Sequence, residues 1–417
     1  MSVPDPAQSP PARPAPTGGV DWASADHAIC VVGDEGQALS RITVAHDAAG
    51  LRTMVTQLIR AGVERVGIER PDGPVVDALR QGGLTVYVIP PGQLKNLRSR
   101  YGSAGNKDDR FDAYVLADVV RTDHRRLRPI EVDTEATTTL RQTVRARRDL
   151  VAHRVAVANQ LRAHLQIVFP GAVGLFADID SAISLRFLDR FPTAEKAAWL
   201  SPKRLTAWLS SVGYSGRTDH AVLHARLAGA PTGALGPAGE AGAAVTAAYT
   251  AVLRTISAQI EALATRIGEQ LTLHHDGHIF TSLPRSGTVR AARLLAEIGD
   301  ARGRFPTPDS LACLAGVAPS TRQSGKTKSV GFRFGADKQL RDALCDFAGD
   351  SRHANPWAAQ LYARARARGH DHAHAVRILA RAWAHVIWRC WQDNTPYDPE
   401  LHKALQRVLN QDQPVAA

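Results

Sequence analysis

Four acidic residues in the N-terminal third of the chain have the types and spacing of a metal site. Asp21 lies on the first extended segment, and Glu69 follows the short apolar run at residues 66–68. Asp109 and Asp112 are three residues apart on a predicted helix, so they share one of its faces. Clustered carboxylates repel one another unless cations neutralise them, and their oxygens suit Mg²⁺ or Mn²⁺. Each acid alone is equally typical of a helix start or a solvated surface, so the prediction depends on the joint pattern.

Metal ions held by clustered carboxylates are typical of enzymes that cleave or join phosphodiester bonds. Two such ions about 4 Å apart activate a nucleophile and stabilise the leaving oxygen. The chain contains neither GxxxxGK[ST] nor GxGxxG, so nothing points to a nucleotide hydrolase or a dinucleotide enzyme.

A serine in a basic loop is the second candidate for chemistry. Ser324 precedes Gly325, which permits a tight turn that would expose the serine hydroxyl. The window 319–341 contains one acid and six bases, which are Arg322, Lys326, Lys328, Arg333, Lys338 and Arg341. These cations could hold a phosphate and lower its barrier to attack. A serine still needs activation by a base or a metal, so a phosphate-binding loop without a covalent role is the alternative, and Ser320 is a second serine in the same loop.

The order of elements before residue 120 determines where the four acids lie. The hydrophobic pattern predicts strands that start at residues 20, 28 and 42, then a helix, a strand at 66–68, a helix, a strand at 84–89 and a helix at 108–120. An antiparallel meander followed by strand–helix repeats predicts a mixed α/β sheet of the ribonuclease-H-like type. The central strands of such a sheet are neighbours, so the four acids are expected to converge.

The rest of the chain is predicted to be helical. Residues 135–168 and about 244–272 have near-heptad apolar positions, and short helices and a small-residue linker at 228–243 separate them. The two long helices could form an antiparallel coiled-coil arm, with ordinary core helices as the alternative. The first one carries arginines that are candidate nucleic-acid contacts, Arg145 and Arg148 among them. A last helical domain, with the Ser324 segment as an irregular loop, is expected at 278–395.

Composition narrows the class of protein. The chain has 417 residues, a net charge of +11, and 43 arginines among its 51 basic residues. This charge favours a polyanionic partner, most commonly nucleic acid, although an arginine-biased genome would give the same excess. No apolar stretch approaches the roughly 18 residues of a membrane helix, and no secretory signal is visible. Four widely spaced cysteines argue against a disulfide framework.

Two sets of motifs resemble one protein family. The N-terminal set is Val20-Asp21, Gly67-Ile68-Glu69 and Asn106-Lys107-Asp108-Asp109-Arg110-Phe111-Asp112-Ala113. The C-terminal set comprises residues 294–300 (LLAEIGD), 304–305 (RF), 315–319 (AGVAP), 323–326 (QSGK) and 340–344 (LRDAL). In order and spacing, over about residues 20–350, they resemble the DEDD transposases of the insertion sequence 110 family.

The resemblance implies a Holliday-junction-resolvase-like (RuvC-like) domain joined by a helical arm to a transposase domain. It implies that Asp21, Glu69, Asp109 and Asp112 bind Mg²⁺, and that Ser324 attacks DNA to form a covalent phosphoserine link. Family members use a structured non-coding bridge RNA whose loops pair with donor and target DNA, so base pairing selects the sequence. The two sites are thought to combine across the subunits of a homodimer or homotetramer.

One turn departs from the family pattern. Pro284-Arg285-Ser286-Gly287 occupies the place of the usual Pro-Gly-x-Gly, so Arg285 replaces a glycine. The replacement affects a turn whose backbone amides would contact phosphate, and the arginine could substitute for them by charge.

We therefore expect a bacterial, cytoplasmic and nucleoid-associated DNA recombinase that is guided by a bridge RNA and moves an insertion sequence. A metal-dependent nuclease or junction resolvase without a covalent intermediate is the alternative, and a non-catalytic nucleic-acid-binding protein is a third possibility. The expected boundaries are a disordered tail at 1–19, a RuvC-like DEDD domain at 20–130, the arm with its small insert at 131–275, the transposase domain at 276–395 and a polar tail at 396–417.

Overall fold

The computed structural model describes residues 14–101, 108–325 and 327–401, and it divides into two compact units, Met1–Val132 and Asp133–Ala417. The first strand begins at Thr17, inside the stretch expected to be a tail, so the predicted start at Val20 was three residues late. Within the described ranges, no helix combines the length and the hydrophobicity needed to cross a membrane.

A five-stranded mixed sheet forms the centre of the first unit. Its strands are β1 (Thr17–Trp22), β2 (Asp26–Val32), β3 (Ala38–Ala45), β4 (Arg65–Ile68) and β5 (Thr85–Val88), in the order β3-β2-β1-β4-β5. The first three strands pair antiparallel, whereas β1, β4 and β5 pair parallel. The predicted mixed α/β sheet is confirmed, and its strand order is consistent with a ribonuclease-H-like domain.

Helices cover both faces of this sheet. They are α1 (Ala48–Arg60), α2 (Pro74–Gln81), α3 (Pro91–Arg98) and α4 (Asp109–Asp123). Met54 and Leu58 of α1 pack on one face, together with apolar residues of α2. Ala113 and Ala117 of α4 pack on the other face, against Cys30. The central strands are therefore buried on both sides, and the continuous apolar run of β2 is typical of such a strand.

Glycines in the central strands allow α4 to lie against the sheet. A Cβ atom at Gly19 would come within 2.0 Å of the Ala113 carbonyl oxygen, and a Cβ at Gly67 would also clash with the helix backbone. The Thr17 hydroxyl, two residues before Gly19 on β1, donates to the Ala117 carbonyl oxygen at 2.9 Å. Helix α4 therefore runs antiparallel to β1, and its first turn lies at the carboxyl end of that strand.

Two long helices of the second unit, α5 (Glu135–Val168) and α10 (Gly236–Leu273), pack against each other. Thr137, near the start of α5, hydrogen-bonds His274 just after α10 at 2.8 Å. His164, near the end of α5, hydrogen-bonds Thr246, near the start of α10, at 3.2 Å. The pair is therefore antiparallel. Helix α10 begins at residue 236, so the second half of the predicted linker is helical.

Four short helices lie between the two long ones: α6 (Ala182–Arg190), α7 (Ala194–Ala198), α8 (Pro202–Ser211) and α9 (His220–Ala228). They share a core of their own with Leu161 and Leu165 of α5 and Leu253 of α10. The opposite ends of the long helices, through Leu140 and Ile267, belong to a separate core with the C-terminal helices. Each end of the helical pair is thus held by a different core.

The C-terminal helices are α11 (Gly277–Thr281), α12 (Gly287–Ile298), α13 (Pro308–Leu314), α14 (Lys338–Ser351), α15 (Pro356–Ala367) and α16 (His372–Gln392). Their core contains the fully buried Trp383 and Trp391. The segment predicted to be an irregular loop is instead a β-hairpin of β6 (Ser320–Ser324) and β7 (Thr327–Gly331). The prediction was wrong because these polar strands carry no apolar alternation.

Candidate active site

Three of the four predicted metal ligands lie together in the first unit. Asp21 on β1 and Asp109 and Asp112 on α4 each offer a carboxylate oxygen, and these oxygens lie within 4.8 Å of one another. Asp109 is exposed, Asp21 is half-buried, and Asp112 is only 1% exposed. A cluster of carboxylate oxygens that opens to solvent on one side fits a hard divalent cation such as Mg²⁺ or Mn²⁺.

The first turn of α4 places two of these carboxylates. Asp108 is the N-cap residue, and its side chain accepts a hydrogen bond from the Arg110 backbone N–H at 3.1 Å. Asp109 and Asp112 follow in the first turn, where the positive end of the helix dipole stabilises acidic side chains. The sequence therefore both starts the helix and fixes its carboxylates at the carboxyl end of β1.

Glu69 lies at the same edge of the sheet, directly after the neighbouring strand β4. Ile68, the last residue of β4, pairs with Val20 of β1 in parallel register. Asp21 and Glu69 are therefore the next residues beyond one pair, so they follow each other across neighbouring strands, with Asp21 still paired to Ala28 of β2 and Glu69 just past the end of β4. The half-buried Glu69 does not belong to the group of three oxygens described above. Its role as the fourth ligand stays a prediction.

Arg98, which the sequence did not single out, binds the deepest of the three acids. Its guanidinium donates from two nitrogens to the two carboxylate oxygens of Asp112, in a bidentate ion pair. The Arg98 side chain, at the end of α3, is 25% exposed. The pair compensates a carboxylate that has lost nearly all contact with water. It also engages the Asp112 carboxylate oxygen that a metal ion would bind.

Ser324 lies at the tip of the hairpin in the second unit. It pairs with Thr327 as the last cross-strand pair, and Gly325 in the turn has φ = +55°. The predicted tight turn with an exposed serine is confirmed. Ser320, by contrast, is half-buried at the base of the hairpin, opposite Gly331.

The pleat of the hairpin separates the predicted cations. Residues two apart on a strand point to the same face, and so do directly paired residues. Arg322 therefore shares the face of Ser324, whereas Lys328, which pairs with Gln323, lies on the opposite face. Lys338 is exposed at the start of α14, and Lys326 lies outside the described residues. Of the exposed strand cations, Arg322 is the one placed beside the hydroxyl.

Two further predicted cations support the base of the hairpin. Arg333 donates to the carbonyl oxygens of Ala318 and Pro319 at 3.4 and 3.3 Å. Arg341 donates to the Arg333 carbonyl at 3.0 Å, and its guanidinium carbon lies 4.7 Å from the centroid of the Phe332 ring. These arginines hold the hairpin on the helical domain.

A cavity of about 580 Å³ adjoins the hairpin base and helix α16. Basic and imidazole side chains line it, namely Arg333, His370, His374, Arg377 and Arg381. Burial lowers the pKa of His374, and the charges of His370 and Arg377 lower it further. The described lining of this cavity carries no carboxylate. It is therefore suited to an anionic ligand.

Comparison with known proteins identifies the family. Residues 18–170 match the profile of the DEDD transposases of IS110, and residues 277–363 match that of the transposase IS116/IS110/IS902 family. The mini-circle protein of IS117 from Streptomyces coelicolor is 33% identical over 403 residues, which cover 92% of this chain and 95% of that protein. The chain belongs to the IS110 family of transposases.

Two other relatives are similar over most of their length. The insertion element IS900 42 kDa protein of Mycobacterium paratuberculosis is 27% identical over 388 residues, 91% of this chain and 96% of that protein. The insertion element IS110 43.6 kDa protein of Streptomyces coelicolor is 28% identical over 341 residues, 78% and 80% of the two chains. Both groups of candidate residues lie inside the matched ranges, and the transposase is an enzyme that acts on DNA.

In this transposase the two α5 arginines that were predicted to contact nucleic acid form ion pairs within the chain. Arg145 donates to both carboxylate oxygens of Glu297, at 3.0 and 2.7 Å. Arg148 donates to Gln339 and forms an ion pair with Asp342. These contacts join α5 to α12 and α14, so both residues have a packing role, and their contact with nucleic acid stays a prediction.

The turn that departs from the family pattern keeps a glycine-like backbone. Arg285 has φ = +55° and Gly287 has φ = +59°. Side chains other than glycine rarely adopt this left-handed region. The Arg285 guanidinium donates to Asp350 at 3.0 Å, and this hydrogen bond holds the pKa of that carboxyl below its usual range. The charge of Arg285 is therefore directed at a carboxylate of the same chain.

Proposed function

We propose that this transposase is a bridge-RNA-guided recombinase that excises and inserts an insertion sequence, with Ser324 as the nucleophile. The observation that carries the proposal is the exposed hydroxyl of Ser324 at the tip of a basic hairpin, beside Arg322. Ser320, half-buried at the hairpin base, offers no comparable access.

The proposed reaction conserves the energy of the DNA backbone. The Ser324 oxygen forms a bond to phosphorus, the bond from phosphorus to one strand end breaks, and the serine proton passes to a base. The reverse attack by a strand hydroxyl rejoins DNA and releases the serine, so no ATP is consumed. Arg322 contributes charge to the phosphate on the same face of the hairpin.

A base or a metal has to activate the serine hydroxyl. Among the described residues, none is hydrogen-bonded to it. In the proposal, Asp21, Asp109 and Asp112, with Glu69 as the predicted fourth ligand, hold Mg²⁺ or Mn²⁺. When bound, the ion supplies positive charge against a developing oxyanion. The two sites combine between subunits of a homodimer or homotetramer.

Nucleic acid is the proposed partner for the exposed cations of the second unit. Arg322, Lys328 and Lys338 are accessible, and the cavity beside the hairpin is lined by bases. We assign the metal site to a RuvC-like domain at 20–130, the helical pair to an arm at 131–275 and the serine to a transposase domain at 276–395. Donor and target DNA and a structured bridge RNA are the proposed ligands.

A metal-dependent nuclease or junction resolvase is the second candidate. The group of three carboxylates favours this candidate, because a metal ion held by carboxylates can activate water for hydrolysis without a protein nucleophile. In that case Ser324 only binds phosphate and no covalent intermediate forms.

Trapping on a suicide DNA substrate separates the two candidates. We expect a covalent protein–DNA adduct with the wild type and with Ser320→Ala, and none with Ser324→Ala. Mass spectrometry of the digested adduct should place the phosphate on residue 324. Release of free 5′-phosphate ends without any adduct would support the nuclease and contradict the recombinase.

RNA guidance has its own test. Sequencing the RNA that copurifies with the transposase should yield one discrete structured species, and removing it should abolish recombination of a plasmid reporter. Heterogeneous RNA fragments alone, or full activity without RNA, would contradict the guided mechanism.

A further inference from the structure

An arginine stacks on a tryptophan at the edge of the sheet where the candidate metal site lies. The guanidinium carbon of Arg70 lies 4.4 Å from the centroid of the Trp22 ring. Trp22 ends β1 and directly follows Asp21. Arg70 directly follows Glu69, the first residue after β4. The contact therefore joins the two chain segments that bring acids to this edge from neighbouring strands.

The pleat of β1 puts this contact and the carboxylates on opposite faces of the sheet. Successive residues of a strand point to alternate faces. A Cβ atom at Gly19 would meet the backbone of α4, whereas Val20 packs in the core that α1 and α2 cover. Asp21 therefore faces α4 and the other carboxylates of the site. Trp22 packs against the core of the opposite face.

Strand β4 and the two residues after it follow the same alternation. A Cβ atom at Gly67 would come within 2.5 Å of a carbonyl oxygen of α4, and Ile68 packs in the core of the opposite face. Arg70 reaches that opposite face again, through its contact with the tryptophan. The chain thus continues in extended form past the end of β4, which puts Glu69 on the face of α4.

Both partners of the contact are fixed by their own surroundings. Pro71 disfavours the helical conformation at Arg70, because the proline ring would clash with the residue before it. Trp22 pairs with the buried His27 across β1 and β2. Its ring lies 6.4 Å from that of His27 and 6.1 Å from that of His46, measured between centroids. The antiparallel strands therefore hold the tryptophan, and the arginine ties the segment after β4 to it.

The ring is a better-defined partner of Arg70 than the nearby carboxylate of Asp72. That ion pair has a distance of 3.4 Å, and its side chains are 49% and 66% exposed. Solvent-exposed ion pairs contribute little to the position of a side chain, because water screens them. A guanidinium over the face of a tryptophan ring is the most favourable of the cation–π contacts.

We propose that Arg70 and Trp22 are positioning residues of the metal site, whose stacking holds the backbone at Asp21 and Glu69 so that both carboxylates face one cation. The inference rests on the proposed function, because it takes these acids as ligands of Mg²⁺ or Mn²⁺. Neither positioning residue touches the metal. Groups that stand behind metal ligands orient them, and loss of such a group commonly lowers the metal affinity tenfold or more, on the order of 10- to 100-fold.

Charge and position make opposite predictions for the loss of Arg70. A cation near the site repels a metal ion, so removal of its charge alone would tighten the binding of Mn²⁺. Loss of the positioning contact weakens that binding instead. The sign of the change in affinity therefore separates the two roles.

Titration of the metal-free full chain with Mn²⁺, followed by isothermal titration calorimetry, tests the proposal. The relevant site is the one that Asp21→Ala abolishes. For Arg70→Gln and for Trp22→Leu we expect the Mn²⁺ affinity of that site to fall about tenfold. The double variant should show no further loss, since either change removes the same contact. Trp22→Phe keeps a ring for the guanidinium and should retain most of the affinity.

Two further variants control for charge and for folding. Arg52 is exposed on α1, a helix that carries none of the acids, so Arg52→Gln should leave the Mn²⁺ affinity within about twofold. Arg70→Lys keeps the charge but loses the planar stack, and its affinity should lie between those of the wild type and Arg70→Gln. In EDTA the melting temperature of Arg70→Gln should fall by only about 2 °C, because an exposed cation–π contact adds little to the stability of the fold.

The outcomes distinguish this inference from the proposed function. Unchanged or tighter Mn²⁺ binding by Arg70→Gln, or additive losses in the double variant, would overturn the positioning role and leave the proposed metal site intact. A wild type without a Mn²⁺ site that Asp21→Ala abolishes would overturn both.

Discussion

At the scale of single residues, the Arg98–Asp112 pair determines how the carboxylate group behaves. A buried carboxylate is stable when it is paired, and Arg98 provides the pair with two of its three guanidinium nitrogens. The same geometry makes the arginine a competitor for any cation that Asp21, Asp109 and Asp112 would bind. The candidate metal site and its internal counter-ion thus share one carboxylate.

Arg98→Ala tests this competition. We expect the free energy of unfolding in EDTA to fall by about 2–3 kcal/mol, because a buried carboxylate loses its partner. Added Mn²⁺ should then raise the melting temperature more in the variant than in the wild type, as measured by thermal denaturation with and without the ion. Arg100→Ala is the control, since Arg100 is half-exposed and pairs with Asp123. Equal rescue by Mn²⁺ in wild type and variant would argue against the competition.

The prediction of the site from the sequence was limited at this scale. Asp21, Asp109 and Asp112 were predicted together because their elements could be placed in order, and the structure brings them together. Arg98 was missed because it meets Asp112 only through the packing of α3 against α4, which no local pattern encodes.

At the scale of elements, the position of α4 depends on the absence of side chains on β1 and β4. Gly18 and Gly19 resemble a flexible tail in the sequence, which is why the first strand was predicted too late. In the structure, Gly19 lets a helix backbone lie directly on the strand. The order of strands and helices could be predicted from periodicity, but close approaches and polar hairpins could not, because neither produces a hydrophobic pattern.

Gly19→Ala should displace α4 from the sheet. A Cβ atom 2.0 Å from the Ala113 carbonyl oxygen cannot be accommodated without movement of backbone, so we expect the free energy of unfolding to fall by about 3 kcal/mol or more. The proposed metal-dependent cleavage of DNA should fall with it. Gly92→Ala is the control, because nothing lies within 4 Å of a Cβ there. The expectation is tested by urea denaturation, and a wild-type midpoint for the Gly19 variant would refute it.

At the scale of the whole molecule, the arginines divide between internal ion pairs and positions that are exposed to solvent. Many arginines of the second unit form ion pairs between its helices, as Arg145 does with Glu297 and Arg302 with Asp276. The count of 51 basic residues therefore overstates the number of cations that are free to contact nucleic acid. Exposed cations on the hairpin and the basic lining of the cavity beside it remain accessible to an anionic ligand.

Low pH should destabilise the second unit, because some of its carboxylates have a pKa below the usual value. Burial opposes ionisation of Asp300, but hydrogen bonds from Thr134 and Thr137 outweigh it, so its pKa lies below its usual value. Such a group stabilises the fold above the unfolded pKa of about 3.9, and the contribution is lost as pH falls through the lower folded value. We expect Asp300→Asn to be less stable than the wild type at pH 6 and to lose less of its stability between pH 4 and pH 2.

Thermal denaturation across this pH range measures the effect. Asp309→Asn is the control, since Asp309 forms its ion pairs on the surface, where such pairs contribute little to stability. Parallel acid limbs for the wild type and Asp300→Asn would contradict the assignment.

The exposure of the β6–β7 hairpin affects when Ser324 is held in a fixed position. Nearly all of its side chains are exposed, so its five cross-strand pairs have no core of their own, and an isolated two-stranded hairpin is only marginally stable in water. Its amide hydrogens should exchange with solvent far faster than those of α16, which carries the buried Trp383. Docked DNA would supply the missing packing surface, so the proposed nucleophile Ser324 would be held in place only while its substrate is present.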